Sequence, residues 1–324
     1  MATRSALINV MTRAADKAAR GLKRDFGEVE NLQVSKKGPA DFVSTADLRA
    51  EQVLREALSR ARPGYDFLME ESGASQGRGR AERRWIVDPL DGTTNFLHGL
   101  PHFAISIALE ESGEILAGVI YDPIKDETFY AERGAGAFLN DRRIRVSSRS
   151  RLEESLIATG APFKGRGDRP HFLSELDSVL EATAGIRRCG SAALDLAYVA
   201  AGRYDGFWER GLSSWDTAAG IILVREAGGY VSQVDGRSAL LRSVAVDARL
   251  RGRGLGGDLT EAALSLAREL GLADVYLLTE TADLFFPRYG FRRVERAEIP
   301  EAVRGSIEFT QSCPESAIAM KAEL

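Results

Sequence analysis

The stretch of the chain that decides its fold is residues 85–96, with the sequence WIVDPLDGTTNF. An apolar strand at its start runs into two carboxylates three residues apart, Asp88 and Asp91, and Pro89 fixes the turn between them. Hard divalent cations prefer oxygen ligands. We therefore expect both carboxylates, together with the carbonyl of Leu90, to face one metal ion.

A candidate phosphate site follows directly in the same stretch. Gly92 and Thr93 lie where a helix can start, and a helix start aims free N–H groups at an anion. Metal ions and phosphate-binding donors are together what phosphoryl hydrolysis requires. The alternative is an ordinary Asp-Pro-x-Asp-Gly turn, which is common in loops.

Acidic residues at two distant positions favour the metal interpretation. Glu70 follows the strand-like residues 67–69, so a carboxylate again stands at the end of a strand. Asp216 stands at the start of a long apolar helix, where an acidic residue usually serves only as an N-cap. The small residues 218–220, AAG, allow another element to approach this helix closely, which an N-cap alone does not require.

Length and composition limit the alternatives. The chain has 324 residues, which corresponds to about two domains, and its 44% hydrophobic and 28% charged residues are ordinary for a globular protein. A net charge of −4 makes nucleic-acid binding a poor hypothesis. Cys189 and Cys313 cannot by themselves form a disulfide framework or a thiolate zinc site. The lack of an apolar run of roughly 20 residues predicts a cytoplasmic protein without a membrane partner.

The hydrophobic pattern predicts layers of helices and strands and not a regular βαβ alternation. The basic N-terminus has the composition of a transit peptide, but its apolar residues recur at spacings of three and four, which predicts an amphipathic helix. Further helices are predicted at residues 45–61, 170–182, 190–202 and 215–227. Strands are predicted at residues 67–69, 85–87, 104–109, 115–121, 128–131 and 204–208. A change of pattern at about 236–241 predicts two domains, residues 1–240 and 241–324.

Three separated motifs resemble the signatures of the inositol monophosphatase family, which belongs to the lithium-sensitive, magnesium-dependent phosphatase superfamily. They are Glu70-Glu71-Ser72, the stretch 85–96, and the segment from Trp215-Asp216 to the Glu-Ala-Gly-Gly of residues 226–229. Their order and spacing match the family over about residues 1–236. The resemblance implies an α+β fold, a layered αβαβα sandwich, and hydrolysis of a small phosphate monoester, with inositol 1-phosphate as the first expectation.

The resemblance also implies a role for each residue of the site. Two or three Mg²⁺ ions would be bound by Glu70, Asp88, Asp91, Asp216 and the Leu90 carbonyl. The catalytic residues would be Glu70, Thr93 and Asp88, with Glu70 and Thr93 helping to activate the attacking water. The phosphate would be surrounded by Asp91, Gly92, Thr93 and Thr94, and the leaving group would face Ala192, Glu209 and Asp216. Lys36 and Asp47 also match positions near the family's catalytic site.

The expected partner is a small-molecule phosphate ester, and we expect a homodimer that binds neither nucleic acid nor a membrane. Histidinol phosphate, fructose 1,6-bisphosphate and a nucleotide 3′-phosphate are alternative substrates, because the sequence motifs do not specify the pocket for the leaving group. The three histidines, His98, His102 and His171, lack metal-ligand spacing along the chain, so structural or surface roles are predicted for them.

The second part of the chain carries a different glycine-rich pattern, residues 244–259, VAVDARLRGRGLGGDL. It is similar to the acetyl-CoA-binding motif of GNAT-type N-acetyltransferases, with Arg251, Gly252, Gly254 and Gly256 as candidate cofactor-binding residues. Only the C-terminal half of that fold is present, a small α/β half-domain, so the chain resembles a fusion. The alternative function is an acetyl-CoA-dependent N-acetyltransferase or a CoA-binding module. A further hypothesis is that the strand at 243–246 and the helix beginning near Leu255 complete the phosphatase sheet. The third alternative is that residues 241–324 only pack and bind no ligand.

Overall fold

The computed structural model of the chain describes residues 4–28, 34–38, 41–77, 82–163, 167–231, 238–240, 255–269, 272–279, 282–300, 303 and 317–324. The chain divides into two compact units, Met1–Val231 and Ser232–Leu324. A domain boundary at residue 240 assigns Ser238–Leu240 to the first domain, whereas this strand pairs with a strand of the second unit.

The first unit contains most of the helices and strands. Its helices are α1 (Ala6–Phe26), α2 (Thr45–Ala61), α3 (Thr93–Leu97), α4 (Arg169–Ala182), α5 (Ala192–Ala200) and α6 (Ser214–Glu226). Its strands are β1 (Val34–Gly38), β2 (Asp41–Ser44), β3 (Asp66–Met69), β4 (Gly73–Ser75), β5 (Arg83–Asp91), β6 (Ala104–Glu111), β7 (Glu114–Asp122), β8 (Glu127–Glu132), β9 (Gly136–Leu139), β10 (Arg142–Ile144), β11 (Leu156–Thr159), β12 (Gly185–Arg187) and β13 (Gly206–Trp208). The helices predicted at residues 45–61, 170–182, 190–202 and 215–227 are confirmed as α2, α4, α5 and α6, with small shifts at their ends.

A mixed sheet of eight strands, in the order β10-β9-β8-β7-β6-β5-β3-β4, forms the centre of this unit. Strands β3 and β5 are parallel, and the other neighbouring strands are antiparallel. The strands predicted at residues 67–69, 104–109, 115–121 and 128–131 are confirmed as β3, β6, β7 and β8. The strand predicted at 204–208 is shorter than expected and begins at Gly206.

Helices pack on both faces of the large sheet, and the side chains that alternate along each strand enter the two opposite clusters. Trp85 and Val87 join the hydrophobic cluster that contains the buried faces of α1 and α2. Ile86 lies in the opposite cluster, which is built on α5 and α6. A small parallel sheet, β12-β11-β13, contacts α5 on its far side, and α4 contacts β12. The layers therefore follow the predicted order α, β, α, β, α.

Helix α1 belongs to the core of the first unit. Ser5 caps it by accepting a hydrogen bond from the Ile8 N–H at 3.1 Å. Its buried face includes Met11 and Leu22, as the amphipathic spacing predicts. Neither α1 nor any other helix in the described part of the chain is long and apolar enough to cross a membrane.

The small residues of α6 let it pack closely on both sides, as expected from the AAG run. A Cβ added at Gly220 would lie 2.4 Å from Leu196 Cδ1 of α5. On the side of the sheet, a Cβ added at Gly118 of β7 would lie 2.6 Å from Ile222 Cγ2. Glycine at these positions allows α6 to approach α5 on one side and the large sheet on the other.

The second unit has its own sheet. Its elements are β14 (Ser238–Leu240), α7 (Leu255–Glu269), β15 (Asp274–Thr279), β16 (Arg292–Arg293) and β17 (Ile318–Glu323), and the sheet order is β14-β15-β17-β16. Leu264 of α7 belongs to one hydrophobic cluster with Val275 and Met320. The helix expected to begin near Leu255 is confirmed as α7. Residues 243–246 lie outside the described residues, so their pairing with the phosphatase sheet stays a prediction.

Candidate metal centre and active site

A β-bulge brings Asp88 and Asp91 to the same face of the large sheet. The strand predicted at residues 85–87 is confirmed as part of β5, which is longer and runs from Arg83 to Asp91. Asp88 pairs with Ser106 of β6 and Asp91 pairs with Ala104, so three steps along β5 face two steps along β6. In a regular strand, residues three apart point to opposite faces. The extra residue of the bulge reverses this relation, and Pro89 is tolerated there because a bulge leaves an N–H unpaired.

Two further acidic residues come from neighbouring elements on the same face. Asp216 lies in the first turn of α6, and one carboxylate oxygen from each of Asp88, Asp91 and Asp216 lies within 4.8 Å of the other two. Glu70 follows β3, where its N–H donates to the Val87 carbonyl at 3.1 Å. Its carboxyl group lies close enough to that of Asp88 to raise the pKa of Asp88. Asp216 also accepts a hydrogen bond from the Ser213 N–H at 2.6 Å, so it caps its helix as well as joining the cluster.

The electrostatics of this cluster indicate a cation site. Burial raises the pKa of Asp88 well above its ordinary value, and the charge of Glu70 is the next largest cause. Burial and the charge of Asp216 raise the pKa of Asp91 to about 7. A cation among these carboxylates would reverse both effects. The donor set is made only of oxygen atoms, which fits Mg²⁺.

The predicted phosphate segment begins where β5 ends. Gly92 has a φ of 93° and stands directly before α3. A Cβ at this position would lie 3.1 Å from the His102 carbonyl oxygen, so both the backbone angle and the space require glycine. The Thr93 hydroxyl lies 3.0 Å from the Asp47 carboxylate and 3.0 Å from the Leu90 carbonyl oxygen. Asp47 is fully buried, which gives Thr93 a fixed acceptor.

Ser191 and Asn95 support the site. The family resemblance includes Ser191 in the substrate-recognition segment, residues 190–193, and Asn95 in the motif at residues 85–96, without a role for either side chain. The Ser191 hydroxyl donates to Asp91 Oδ2 at 2.5 Å, and the Ala193 N–H donates to the same oxygen at 2.8 Å. Asn95 Nδ2 donates to the carbonyl oxygens of His102 at 2.8 Å and Cys189 at 2.9 Å. The helix-capping position of Ser191 and the closeness of Asn95 to the carboxylate motif are further signals in the sequence.

A cavity of about 330 Å³ opens at the acidic cluster. The predicted residues that line it are Glu70, Asp91, Gly92, Thr93, Thr94, Ala192, Glu209 and Asp216. Asp88 and Leu90 do not line the cavity, and both are buried in β5. The structure thus brings together the acidic residues that the resemblance implies as metal ligands and the residues that it implies as substrate contacts.

The carboxyl edge of the small parallel sheet forms the opposite wall. Gly160, Arg188 and Glu209 each follow directly after one of its strands, and all three line the cavity. A Cβ added at Gly160 would lie 1.8 Å from Glu209 Cδ, so the glutamate carboxylate rests against the Gly160 backbone. Sequence analysis named Glu209 but missed Gly160 and Arg188. Their positions at strand ends are the signal that could have identified them.

Some predicted residues cannot be placed. The side chain of Lys36 and the candidate cofactor residues Arg251, Gly252 and Gly254 lie outside what the structure describes. Gly256 lies in the first turn of α7, where its carbonyl oxygen accepts from the Thr260 hydroxyl at 2.8 Å.

Comparison with known proteins agrees with this geometry. The model of the inositol monophosphatase family matches residues 3–271. An inositol-1-monophosphatase from Mesorhizobium japonicum is 63% identical over 238 residues, which cover 74% of this chain and 89% of the relative. A relative from Pseudomonas aeruginosa, named Nus factor SuhB, is 47% identical over 72% of this chain and 88% of its own length. The crystal structure of extragenic suppressor protein SuhB from Bartonella henselae has a TM-score of 0.67 at 62% identity, covering 69% of this chain and 86% of that one.

The family match includes the first unit and continues across α7. These likenesses give no support to an acetyltransferase or to bound acetyl-CoA. They support the layered α+β sandwich of the first unit. The chain belongs to the inositol monophosphatase family and is a phosphoric monoester hydrolase.

Proposed function

We propose that the protein hydrolyses inositol 1-phosphate to inositol and phosphate, with Mg²⁺ required. The observation that carries this proposal is the convergence of three carboxylates, from Asp88, Asp91 and Asp216, beside a cavity of about 330 Å³. The cavity is of the size of small-ligand sites in general. The 63% identical relative named inositol-1-monophosphatase supports the choice of substrate.

The metal ligands in this proposal are oxygen atoms from three elements. Two or three Mg²⁺ ions would be held by Glu70, Asp88, the Leu90 carbonyl, Asp91 and Asp216. When bound, Mg²⁺ would lower the pKa of the attacking water and neutralise charge that develops on the phosphate and on the leaving oxygen. The Ser191 hydroxyl and the Ala193 N–H orient Asp91, because both donate to its Oδ2 atom.

Thr93 and Glu70 prepare the water in this proposal. The Thr93 hydroxyl directs its proton toward Asp47 or the Leu90 carbonyl, each at 3.0 Å, so the lone pairs of Oγ1 can accept a hydrogen bond from the water. Glu70 lines the cavity beside it and provides a second acceptor. With its proton held between these groups, the water is oriented for attack on phosphorus.

The remaining wall binds the substrate. The phosphate would lie against Asp91, Gly92, Thr93 and Thr94, where the glycine permits close approach of the backbone. The leaving group would face Ala192, Glu209 and Asp216, and the two carboxylates accept hydrogen bonds from its hydroxyl groups. A sugar-like alcohol rich in hydroxyl groups satisfies these acceptors, whereas an apolar alcohol leaves them unpaired.

The test is a panel of phosphate monoesters assayed for released phosphate with Mg²⁺ and with a chelator. The panel contains inositol 1-phosphate, histidinol phosphate, fructose 1,6-bisphosphate and a nucleotide 3′-phosphate. We expect Mg²⁺-dependent release, fastest with inositol 1-phosphate. Release that is equally fast with the chelator would reject the role of Mg²⁺. Faster release from another compound of the panel would make that compound the proposed substrate in place of inositol 1-phosphate.

The other partner predictions can be measured on the same sample. Light scattering tests the homodimer. Retention of CoA by the protein tests the alternative function of residues 241–324. Binding to RNA tests the predicted absence of a nucleic-acid partner, and the relatives named Nus factor SuhB make this measurement worthwhile.

A further inference from the structure

A second group of potential metal ligands is separate from the acidic cluster and has no role in the proposed reaction. It consists of His102, which precedes β6, Cys189, which follows β12, and Asp195 of α5. One ligand atom from each side chain lies within 4.8 Å of the other two. The three atoms are an imidazole nitrogen, a thiol sulfur and a carboxylate oxygen.

Two of the polar atoms in this group are buried without a partner among the described residues. Asp195 is 1% exposed, and its Oδ1 atom has no hydrogen bond in the described part of the chain. The same holds for Nε2 of His102. Burying a carboxylate oxygen without a partner is unfavourable, and buried polar groups in proteins are nearly always paired. A bound cation would supply the partner that both atoms lack.

The surrounding structure holds the three side chains in place. Asn95 Nδ2 donates to the backbone carbonyls of His102 and Cys189, which ties the two loops together. The ring of Tyr198 packs edge-on to His102, with centroids 6.1 Å apart. The hydroxyl of Tyr204 lies 3.6 Å from the Cys189 sulfur. A site supported in this way needs only small side-chain movements to close around an ion.

The chemistry of these donors selects a different ion from the one expected at the carboxylate cluster. Thiolate and imidazole ligands suit Zn²⁺ and other borderline transition metals, whereas Mg²⁺ prefers oxygen ligands alone. Burial and the charge of Lys125 lower the pKa of His102, which keeps the imidazole in its neutral, metal-binding form.

We propose that His102, Cys189 and Asp195 form a binding site for a divalent transition metal ion, with Zn²⁺ as the best match. The ion has three protein ligands, and a fourth position is left for water. Neither histidine spacing nor the cysteine count predicted this site, because its ligands come from three separate elements. Ser191 and Ala193, which orient Asp91, lie between Cys189 and Asp195 in the chain, so the site borders the support of the catalytic centre.

Cobalt(II) is a suitable probe because it replaces Zn²⁺ and absorbs visibly in tetrahedral sites. The full-length protein is titrated with Co²⁺ in excess Mg²⁺, which occupies the oxygen-only ligands. We expect one equivalent of Co²⁺ to produce a thiolate-to-cobalt charge-transfer band that Zn²⁺ then removes. Absence of the band in the parent protein would overturn the proposal.

Two cysteine variants form a matched pair, because Cys189 and Cys313 are the only cysteines of the sequence. Cys189→Ser should abolish the charge-transfer band, whereas Cys313→Ser should retain it. The reverse result would assign the signal to Cys313 and reject the site. Circular dichroism and thermal melting establish that both variants are folded.

The remaining ligands are tested by His102→Gln and Asp195→Asn. Each should weaken Co²⁺ binding by about tenfold or more, the order of effect seen even when a group that supports a ligand is lost. Unchanged affinity in either folded variant would remove that residue from the site and contradict the three-ligand proposal. The readout is a spectrum and a stoichiometry, so it does not depend on whether the protein hydrolyses inositol 1-phosphate.

Discussion

The two glycine-containing motifs of the chain, residues 85–96 and 244–259, invite comparison because each was predicted to lead from a strand into a helix through a ligand-binding loop. In the first motif, residues from distant elements contact the candidate ligands or lie beside them. Asp91 accepts hydrogen bonds from the start of α5 and lies beside Asp216 of α6. Of the candidate ligands in the second motif, Arg251, Gly252 and Gly254 lie outside the described residues, and the Gly256 carbonyl accepts a hydrogen bond from Thr260 within α7 itself.

The difference shows what makes a loop motif informative. A glycine-rich loop before a helix fits several ligands, and residues 244–259 alone do not distinguish CoA binding from packing. A carboxylate motif is far more specific when acidic residues elsewhere in the sequence converge on it. Glu70 and Asp216 meet that condition for the first motif, because the fold brings both to the face where Asp88 and Asp91 lie.

The largest expected effect comes from Asp91→Asn, which preserves the shape of the side chain and removes its charge. We expect the rate of phosphate release to fall by about 10²-fold or more, because metal binding and phosphate position are disturbed together. Steady-state kinetics and a melting curve are measured on the same preparation. If Asp91 were only a turn residue, the variant would lose stability without a selective loss of activity.

A smaller effect is expected from Gly160→Ala. The new Cβ would overlap the Glu209 carboxylate, whose Cδ lies 1.8 Å from that position, so Glu209 must move. Loss of one hydrogen bond to the leaving group should raise KM for inositol 1-phosphate by about tenfold with a smaller change in kcat. Gly21→Ala is the matched control, because a Cβ at Gly21 meets nothing within 4 Å. An unchanged KM in Gly160→Ala would contradict the role of Glu209.

The pH dependence of stability should separate Asp91 from an ordinary surface acid. Folding raises the pKa of Asp91 from 3.8 to about 7 in the absence of metal. Between these two pKa values the folded protein retains a proton that the unfolded chain has released. The contribution of Asp91 to the free energy of unfolding is therefore fully present at low pH and is lost as pH rises through this window. Relative to Asp91→Asn, the Tm of the chelator-treated parent should fall between about pH 4 and pH 7. Parallel Tm profiles for the two proteins would refute the shifted pKa.

Mg²⁺ provides a control for the same experiment. Binding of Mg²⁺ to the folded parent should recover the lost stability above pH 7, because a ligand that binds only the folded state stabilises it. Asp91→Asn should show a smaller gain in Tm. Equal gains in both proteins would indicate that Mg²⁺ acts at another place.

The smallest effect is expected at the second motif. Arg251→Ala should leave the rate of phosphate release nearly unchanged, because its loop belongs to the other motif. The variant is assayed beside Asp91→Asn with the same substrate. A loss comparable to that of Asp91→Asn would show that residues 244–259 contribute to phosphatase activity, and the two motifs could no longer be treated as independent.

Much of the fold was predictable because it depends on patterns that are local in the sequence. The amphipathic spacing of α1 and the apolar strands β6 and β7 require no knowledge of their partners. Glu70 and Asp216 were recognisable as acids at the ends or starts of elements. The three motifs of the resemblance then indicated which of these positions belong together.

The details that shape the site depend on contacts distant in sequence. The bulge between Asp88 and Asp91 is defined by pairing with β6, and no residue type encodes it uniquely. Gly160 matters only because Glu209 of a neighbouring strand lies against it. Asn95 supports the loops at His102 and Cys189 through backbone carbonyls, which carry no sequence signal.

Binding of Mg²⁺ to the clustered carboxylates tests the metal centre most directly, and calorimetric titration measures it without a substrate. The parent protein at about pH 6 should bind Mg²⁺ saturably and release protons, because binding requires the carboxylates to ionise. The raised pKa values of Asp88 and Asp91 predict this release, which is measured in buffers with different ionisation enthalpies. Asp91→Asn should bind Mg²⁺ more weakly and release fewer protons. Saturable binding that is identical in the parent and in a folded Asp91→Asn variant would contradict the metal centre.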